Sequence, residues 1–385
     1  MKCIRIGYGT IAHIHEQAFS QMNVQTIGVL ESDPLRIEQI RQAGLKPLRS
    51  VEDAIALHPD FFDICTPTRV HAQVLQAISA LNPYANILIE KPICDFEDIA
   101  LVDAVLASHK GHIVVNENYC SSAITQAVKD KVLALALRPT RVIVEMTKHR
   151  GQDYLKGRFI DNALGALGYE GSHLLALVGE LGEVYADAEI LETDIDSIAL
   201  RSVNLSHQGG AFMKYIATNG CIVELYTSMS GIIGYPCPPF AYPEQHIAED
   251  DASMRYRILR IDGIDSQNTP YQIIGFFEPI AALSRRQGCL LIFRDWVLDH
   301  RVNAIEDDTM IQHLRRAMRC FSDNGPNPYS VKRAVQDVTK LHDWARRGWF
   351  DMDDSDDVLG SEAASRARID ESRQFKIITP SHVLT

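Results

Sequence analysis

The chain has 385 residues, which is long for one small domain and fits two. It is 46% hydrophobic and 23% charged, with a formal net charge of −12. That acidic balance disfavours nucleic acid or an anionic membrane as a main partner, and no apolar run approaches the ~18 residues of a membrane helix. The first residues read straight into a strand, so no signal peptide is expected. Eight cysteines lie scattered without a Cys-x-x-Cys pair, as expected for reduced thiols in a cytoplasmic protein.

In chain order, the first 118 residues alternate strand and helix signals. Strands are expected at 2–7, 24–30, 61–65, 86–90 and 112–116, and helices at 11–21, 34–43, 51–57, 70–81 and 96–108. This alternation predicts an α/β domain, a doubly wound parallel sheet with crossover helices. Runs such as Thr26-Ile27-Gly28-Val29-Leu30 and Phe61-Phe62-Asp63-Ile64-Cys65 suit strands covered on both faces. Beyond residue 118 a helix at 124–137, a strand at 141–146 and a helix at 165–180 are followed by mostly β signals. These fall at 186–200, 211–217, 221–230, 255–262, 272–277 and 289–295, with helices returning at 306–321 and 330–347. The pattern predicts an α+β second domain over 119–350 with a large, mostly antiparallel open sheet. Residues 234–240 read as a proline-rich loop and 351–385 as an acidic tail.

The first strand ends in Gly7-Tyr8-Gly9-Thr10-Ile11-Ala12. In a dinucleotide fold the first glycine allows the tight turn, the second lets the backbone approach the pyrophosphate, and a third small residue, here Ala12, lets helix and strand pack closely. The free N–H groups of the following helix then face phosphate. Glu31, nineteen residues past Ala12, ends the next strand and suits the adenosine ribose hydroxyls, which favours NAD over NADP. Asp33 competes for that role.

Further strand ends carry chemistry. Thr66 and Pro67 follow the third apolar run, with His71 opening the next helix, and Asn86-Ile87-Leu88-Ile89 ends in Glu90-Lys91-Pro92. A lysine there can hold a substrate hydroxyl and help move its proton, although a plain salt bridge is the simpler reading of Lys91 alone. Gly171-Ser172-His173 leads into an apolar helix, and an imidazole presented there could exchange a proton with an alcohol, although a buried structural histidine is the simpler reading of His173 alone. His13 and His15, two apart on a helix, point to different faces and make a poor metal pair; they are expected exposed or near the cofactor, and no metal is expected. Lys148, His149, Arg150, Lys156 and Arg158 read first as a solvated face and second as a lining for a phosphorylated or carboxylated substrate. Arg315-Arg316 reads as surface.

Taken together, the glycine turn, Thr-Pro with its histidine, Glu-Lys-Pro and Gly-x-His resemble the glucose–fructose oxidoreductase and inositol dehydrogenase (Gfo/Idh/MocA) family over about residues 1–350. The resemblance implies a Rossmann domain followed by an α+β substrate domain that often builds homodimers or homotetramers through its sheet. It implies a nicotinamide cofactor and a ring carbon of a sugar, cyclitol or aminocyclitol as the reacting centre. It places Gly7, Gly9, Thr10, Ile11, Ala12, Glu31, Thr66, Pro67, His71, Glu90, Lys91 and Asn118 at the cofactor, and Lys91, His173 and Tyr169 at the chemistry. The chain departs from the family where an Asp usually stands four residues before the histidine: Tyr169 is there, with Glu170 beside it. Ala176 replaces a second Asp, and the Asn118-Tyr119-Cys120 segment lacks a frequent arginine. The implied activity is NAD-dependent hydride transfer at a carbinol carbon. Imine reduction and a catalytically inactive NAD-binding regulator are the alternatives.

Overall fold

A computed structural model of the protein describes residues 1–148, 164, 167–181, 190–201, 209–217, 220–228, 255–277 and 286–348. The chain divides into two units. One is Met1–Ser121 with Thr309–Lys340; the other is built on Ser122–Asp308 and continues from Leu341.

The first unit runs β1 (Lys2–Ile6), α1 (Thr10–Ser20), β2 (Gln25–Leu30), α2 (Pro34–Gln42), β3 (Pro47–Leu48), α3 (Val51–Ile55), β4 (Phe61–Ile64), α4 (His71–Leu81), β5 (Ile87–Glu90), α5 (Ile99–Ser108) and β6 (Ile113–Asn116). Its six strands lie in the order β3-β2-β1-β4-β5-β6, all parallel. The order reverses between β1 and β4, so the carboxyl ends of these strands border the crevice where such sheets bind ligands. The expected elements are all present, and β3 is an addition. It is two residues long, too short to produce a periodic signal, and exists through pairing with Val29 and Leu30. Local chemistry agrees with the boundaries: Asp33 caps α2 through the Leu35 N–H, with Pro34 at its first position.

The second unit holds α6 (Ala123–Ala134), β7 (Arg138–Lys148), a π-helical turn (Leu167–Gly171) running into α7 (Ser172–Glu180), then β8 (Ile190–Arg201), β9 (Gly209–Ala217), β10 (Ile222–Ser228), β11 (Arg255–Ile264), β12 (Pro270–Phe276), β13 (Gln287–Arg294) and β14 (Val297–Glu306). Its eight strands lie in the order β14-β13-β12-β11-β7-β10-β9-β8. Only the β7–β10 pair is parallel. The mixed, mostly antiparallel sheet is as the sequence predicts. Gly275 lets α6 lie close on this sheet, since a Cβ there would stand 2.5 Å from Ile124 Cγ2.

The chain then returns to the first unit with α8 (Thr309–Asp323) and α9 (Val331–Gly348), the end of α9 belonging to the second unit. The sequence reading starts a helix at 306; the structure instead has β14 running to Glu306 and the helix beginning at Thr309. All residues of β14 are exposed or half-exposed, so it lacks the alternation that announces a strand; hairpin pairing with β13 forms it at the sheet edge. A single cut after residue 118 likewise misses that 309–340 rejoin the first unit. The proline-rich loop at 234–240 and the tail at 351–385 lie outside the described residues.

α8 buries Ile311, Leu314, Ala317, Met318 and Phe321, a stripe at helical spacing. These join Cys3, Ala18, Phe19, Val24, Phe61, Leu88 and Val114 in one core. Phe61 stands edge-on to Phe19 at 5.7 Å and packs on Phe321 at 5.4 Å. Phe61→Ala therefore empties the junction of sheet, α1 and α8, and is expected to cost about 3–5 kcal/mol. Urea unfolding followed by circular dichroism measures it; a loss under 1 kcal/mol would show that α8 does not depend on this ring.

Candidate functional site

The glycine turn is built for a close approach. Gly7 has φ +91°, a conformation L side chains resist, and a Cβ on it would lie 2.8 Å from the Cys65 carbonyl oxygen. Its N–H donates to Leu30 O at 2.9 Å, which ties the turn to β2. Gly9 is the N-cap of α1, with Thr10 exposed and Ile11 half-buried in the first turn, and Ala12 fully buried. No side chain caps this helix and no acidic residue sits in its first turn, so its backbone N–H groups stand ready for an anion. Nearby, the Thr66 hydroxyl is buried and has no hydrogen-bond partner. These features fit the pyrophosphate and nicotinamide halves of a dinucleotide.

Glu31, just past the end of β2, faces the turn. Its carboxylate accepts from Tyr8 N at 2.9 Å, Ser32 N at 2.7 Å and Asp33 N at 3.0 Å. Burial works to raise its pKa, but the Asp33, Tyr8 and Ser32 N–H groups and then Arg36 outweigh it and hold the group below the usual carboxylate range. Asp33 is instead the cap of α2. Arg36 lies 3.6 Å from Glu31 and 3.7 Å from Asp33.

At the other strand ends, His71 braces two loops: Nε2 is 2.8 Å from Thr66 O and Nδ1 2.9 Å from Pro92 O. Burial pushes its pKa down, against the pull of these two carbonyls. Pro67 is exposed, and Lys91 is half-buried, its backbone N–H donating to Glu90 Oε2 at 3.3 Å. Asn118 lies in a short 3-10 turn after β6, its amide donating to Thr309 Oγ1 at 2.7 Å.

Behind this rim lies a polar network that sequence reading misses. His13 is exposed, beside Tyr8, but His15 is 0% exposed. Its Nδ1 lies 2.9 Å from Asp63 Oδ1 on β4 and its Nε2 3.0 Å from Glu90 Oε1 on β5. Arg5 Nε donates to Asp63 Oδ2 at 3.0 Å and its guanidinium reaches Glu16, while Asn116 donates to Glu90 Oε1. Burial opposes charge on His15, but Asp63 overrides it and holds the imidazole well above its ordinary pKa. Burial likewise opposes ionisation of Asp63, yet His15 and then Arg5 bring it down to about 2. The ligand atoms of His15, Asp63 and Cys65 lie within 4.8 Å of one another, close enough to share one ion. Arg5 already shares the carboxylate, and burial pushes the Cys65 thiol up to about 12, so the set suits an ion pair better than a cation. A signal was present: Ala12, His15 and Phe19 fall on one helical face, and Arg5 and Asp63 are charges inside apolar runs that pair in register.

In the second unit, His173 lies one residue inside α7 and is 7% exposed, with Glu170 Oε2 3.8 Å from its Nε2. Tyr169 is half-buried. Arg257 on β11 donates to Glu170 Oε1 at 3.2 Å and Oε2 at 3.0 Å. No local motif marks Arg257, because it reaches Glu170 through the sheet. Lys148 is 7% exposed, which contradicts a solvated face at that residue; His149, Arg150, Lys156 and Arg158 lie outside the described residues. Arg315 is exposed, but Arg316 is half-buried and donates to Cys120 O at 2.9 Å.

A parallel sheet with this strand order, a glycine turn after β1 and an acid after β2 define a dinucleotide-binding Rossmann domain. Residues 1–117 match the model of the GFO_IDH_MocA oxidoreductases, described as having an NAD-binding Rossmann fold, so this first domain is similar to the NAD-binding domain of the Gfo/Idh/MocA family. No curated protein sequence matches the chain. Among solved structures it is similar to UDP-N-acetylglucosamine 3-dehydrogenase from Acidithiobacillus ferrooxidans (18% identity, TM-score 0.60, covering 90% of this chain and 97% of that one). It is also similar to the WlbA dehydrogenase from Bordetella pertussis in complex with NADH and UDP-GlcNAcA (16%, 0.61, 90% and 96%). A dehydrogenase from Chromobacterium violaceum aligns over 96% of this chain and 98% of its own (14%, 0.63). At these identities the likeness is one of fold.

The network makes a pH prediction. Because the folded pKa of His15 is raised above 6.5, its stabilisation is complete below 6.5 and fades as pH rises toward the folded value. Asp63, lowered from 3.8 to about 2, contributes above 3.8 and loses its contribution as pH falls through 2. Thermal midpoints of the wild type are expected to fall on the alkaline side, and those of His15→Gln to fall less over the same range. Parallel curves would show that His15 carries no linked charge.

Proposed function

We propose that this chain is a Gfo/Idh/MocA-type oxidoreductase that transfers a hydride between nicotinamide and a ring carbinol or ketone carbon of a sugar, cyclitol or aminocyclitol. The observation that carries the reading is Glu90-Lys91 at the carboxyl end of β5, with Glu90 anchored by His15 and Asn116, on a sheet whose glycine turn fits a dinucleotide. NAD, when bound, supplies the hydride acceptor. Gly7, Gly9, Thr10, Ile11 and Ala12 hold its pyrophosphate, Glu31 its adenosine ribose, and Thr66, Pro67, His71 and Asn118 its nicotinamide half. The charge on Glu31 favours NAD, since it repels a 2′-phosphate.

Lys91 holds the substrate oxygen and stabilises the negative charge that develops on it. His173 takes the proton during oxidation and returns it during reduction. Tyr169 is the alternative proton carrier. The similar structures of a UDP-N-acetylglucosamine dehydrogenase and of WlbA with NADH and UDP-GlcNAcA support a sugar-derived substrate. A cytoplasmic homo-oligomer assembled through the second sheet completes the reading.

The test is nicotinamide absorbance under turnover with NAD or NADP and a panel of UDP-sugars, sugars, cyclitols and aminocyclitols. Turnover is expected on a ring alcohol, with Lys91→Ala and His173→Ala each lowering it at least about tenfold. Tight NADH binding with no turnover on the panel would move the assignment to imine reduction or to a regulator.

A further inference from the structure

His173 lacks the carboxylate four residues before it that the resemblance leads one to expect, since Tyr169 stands there. The second unit brings a carboxylate from one residue later. The π-helical turn Leu167–Gly171 runs directly into α7, so Glu170 and His173 fall three apart on one continuous helical path and share a face. Gly171 makes room for this turn, because a Cβ there would lie 2.6 Å from Leu341 Cδ2. Glu170 is 1% exposed, Arg257 6% and His173 7%. A carboxylate buried this deeply stays ionised only beside a cation. Arg257 supplies it, donating to both carboxylate oxygens. Its position is rigid, since β11 is paired with β7 on one side and β12 on the other. Glu170 Oε2, 3.0 Å from the guanidinium, is also the oxygen 3.8 Å from His173 Nε2. One fixed anion therefore stands between a guanidinium and the imidazole.

We propose that Glu170, clamped by Arg257, is the positioning carboxylate of His173 in this chain. It orients the ring and stabilises the imidazolium formed when His173 accepts a proton, while Arg257 keeps the carboxylate ionised and limits its swing. Tyr169 then has no part in orienting the ring. The inference rests on His173 being a proton-handling residue of the proposed reaction. A plain structural ion pair between Glu170 and Arg257 would stabilise the turn without any effect on the imidazole.

The test uses the full-length protein labelled with ¹⁵N-histidine, the His173 signal being assigned by its loss in His173→Ala. Glu170→Gln, which keeps the shape and still accepts from Arg257, is expected to move the His173 titration to lower pH. Arg257→Met removes the cation that keeps Glu170 ionised and is expected to move it to lower pH as well; Arg257→Lys, the milder change, is expected to leave it close to wild type. Tyr169→Phe is expected to leave it unmoved. On any panel substrate that turns over, Glu170→Gln is expected to lower kcat about tenfold with KM changed less than about twofold, the loss expected of a misoriented group. An unmoved His173 titration in Glu170→Gln, or a shift to higher pH in Arg257→Met, overturns the clamped positioning role whether or not a substrate is found. Shifts to lower pH in both variants with no turnover on the panel uphold the coupling and refute the dehydrogenase reaction instead.

Discussion

The first unit is organised around one buried imidazole held between two carboxylates. His15 receives Asp63 on one ring nitrogen and Glu90 on the other, and Arg5 takes the second oxygen of Asp63. Two buried cations thus meet the buried carboxylate of Asp63 and, nearer the surface, those of Glu90 and Glu16, where His15, Arg5 or Asp63 alone could not keep a charge. Removing one partner of such a group typically costs about 3–5 kcal/mol, because the charge left behind has no water. The contacts reach α1, β1, β4 and β5, with β6 joined through Asn116. These are the elements on either side of the point where strand order reverses. The glycine turn, Thr-Pro and Glu-Lys-Pro therefore stand on a common electrostatic footing and not only on apolar packing.

Much of the first unit was legible because its strands are covered on both faces and its helices are amphipathic. Both give strong sequence signals, and the start of α2 is further fixed by Asp33 and Pro34. The misses share one physical cause. β3 and β14 are made by pairing rather than by burial, and pairing leaves little trace in the local pattern. The return of α8 to the first sheet is equally invisible locally. Its apolar stripe says that the helix packs, not on what.

The candidate site divides along the same line. The glycine turn and Glu-Lys-Pro are contiguous motifs at strand ends, so they can be read directly. Spacing points to Glu31 with Asp33 as its competitor, since both follow β2; in the structure Glu31 meets the Tyr8 N–H while Asp33 caps α2. His15, expected exposed or near the cofactor together with His13, is buried, and its phase with Ala12 and Phe19 already puts it inside. Glu170 is not marked as a partner of His173 in the sequence, because neighbouring side chains on a regular helix start diverge from one another. The π-helical turn brings it toward His173, and Arg257 comes from a strand far along the chain.

The first unit is discontinuous in sequence, and this bears on how the protein is made. Its sheet is complete by Asn116, yet the aromatic face formed by Phe19 and Phe61 is covered by Phe321 and its helix. A ribosome must therefore produce roughly two hundred further residues before the partner of that face emerges, at the ~5–20 residues per second of synthesis. During that interval the nascent Rossmann sheet shows an apolar patch that chaperones or like chains can engage. An early stop ahead of Thr309 would leave the patch permanently bare, so a truncated product would aggregate rather than persist as a free-standing cofactor-binding fragment.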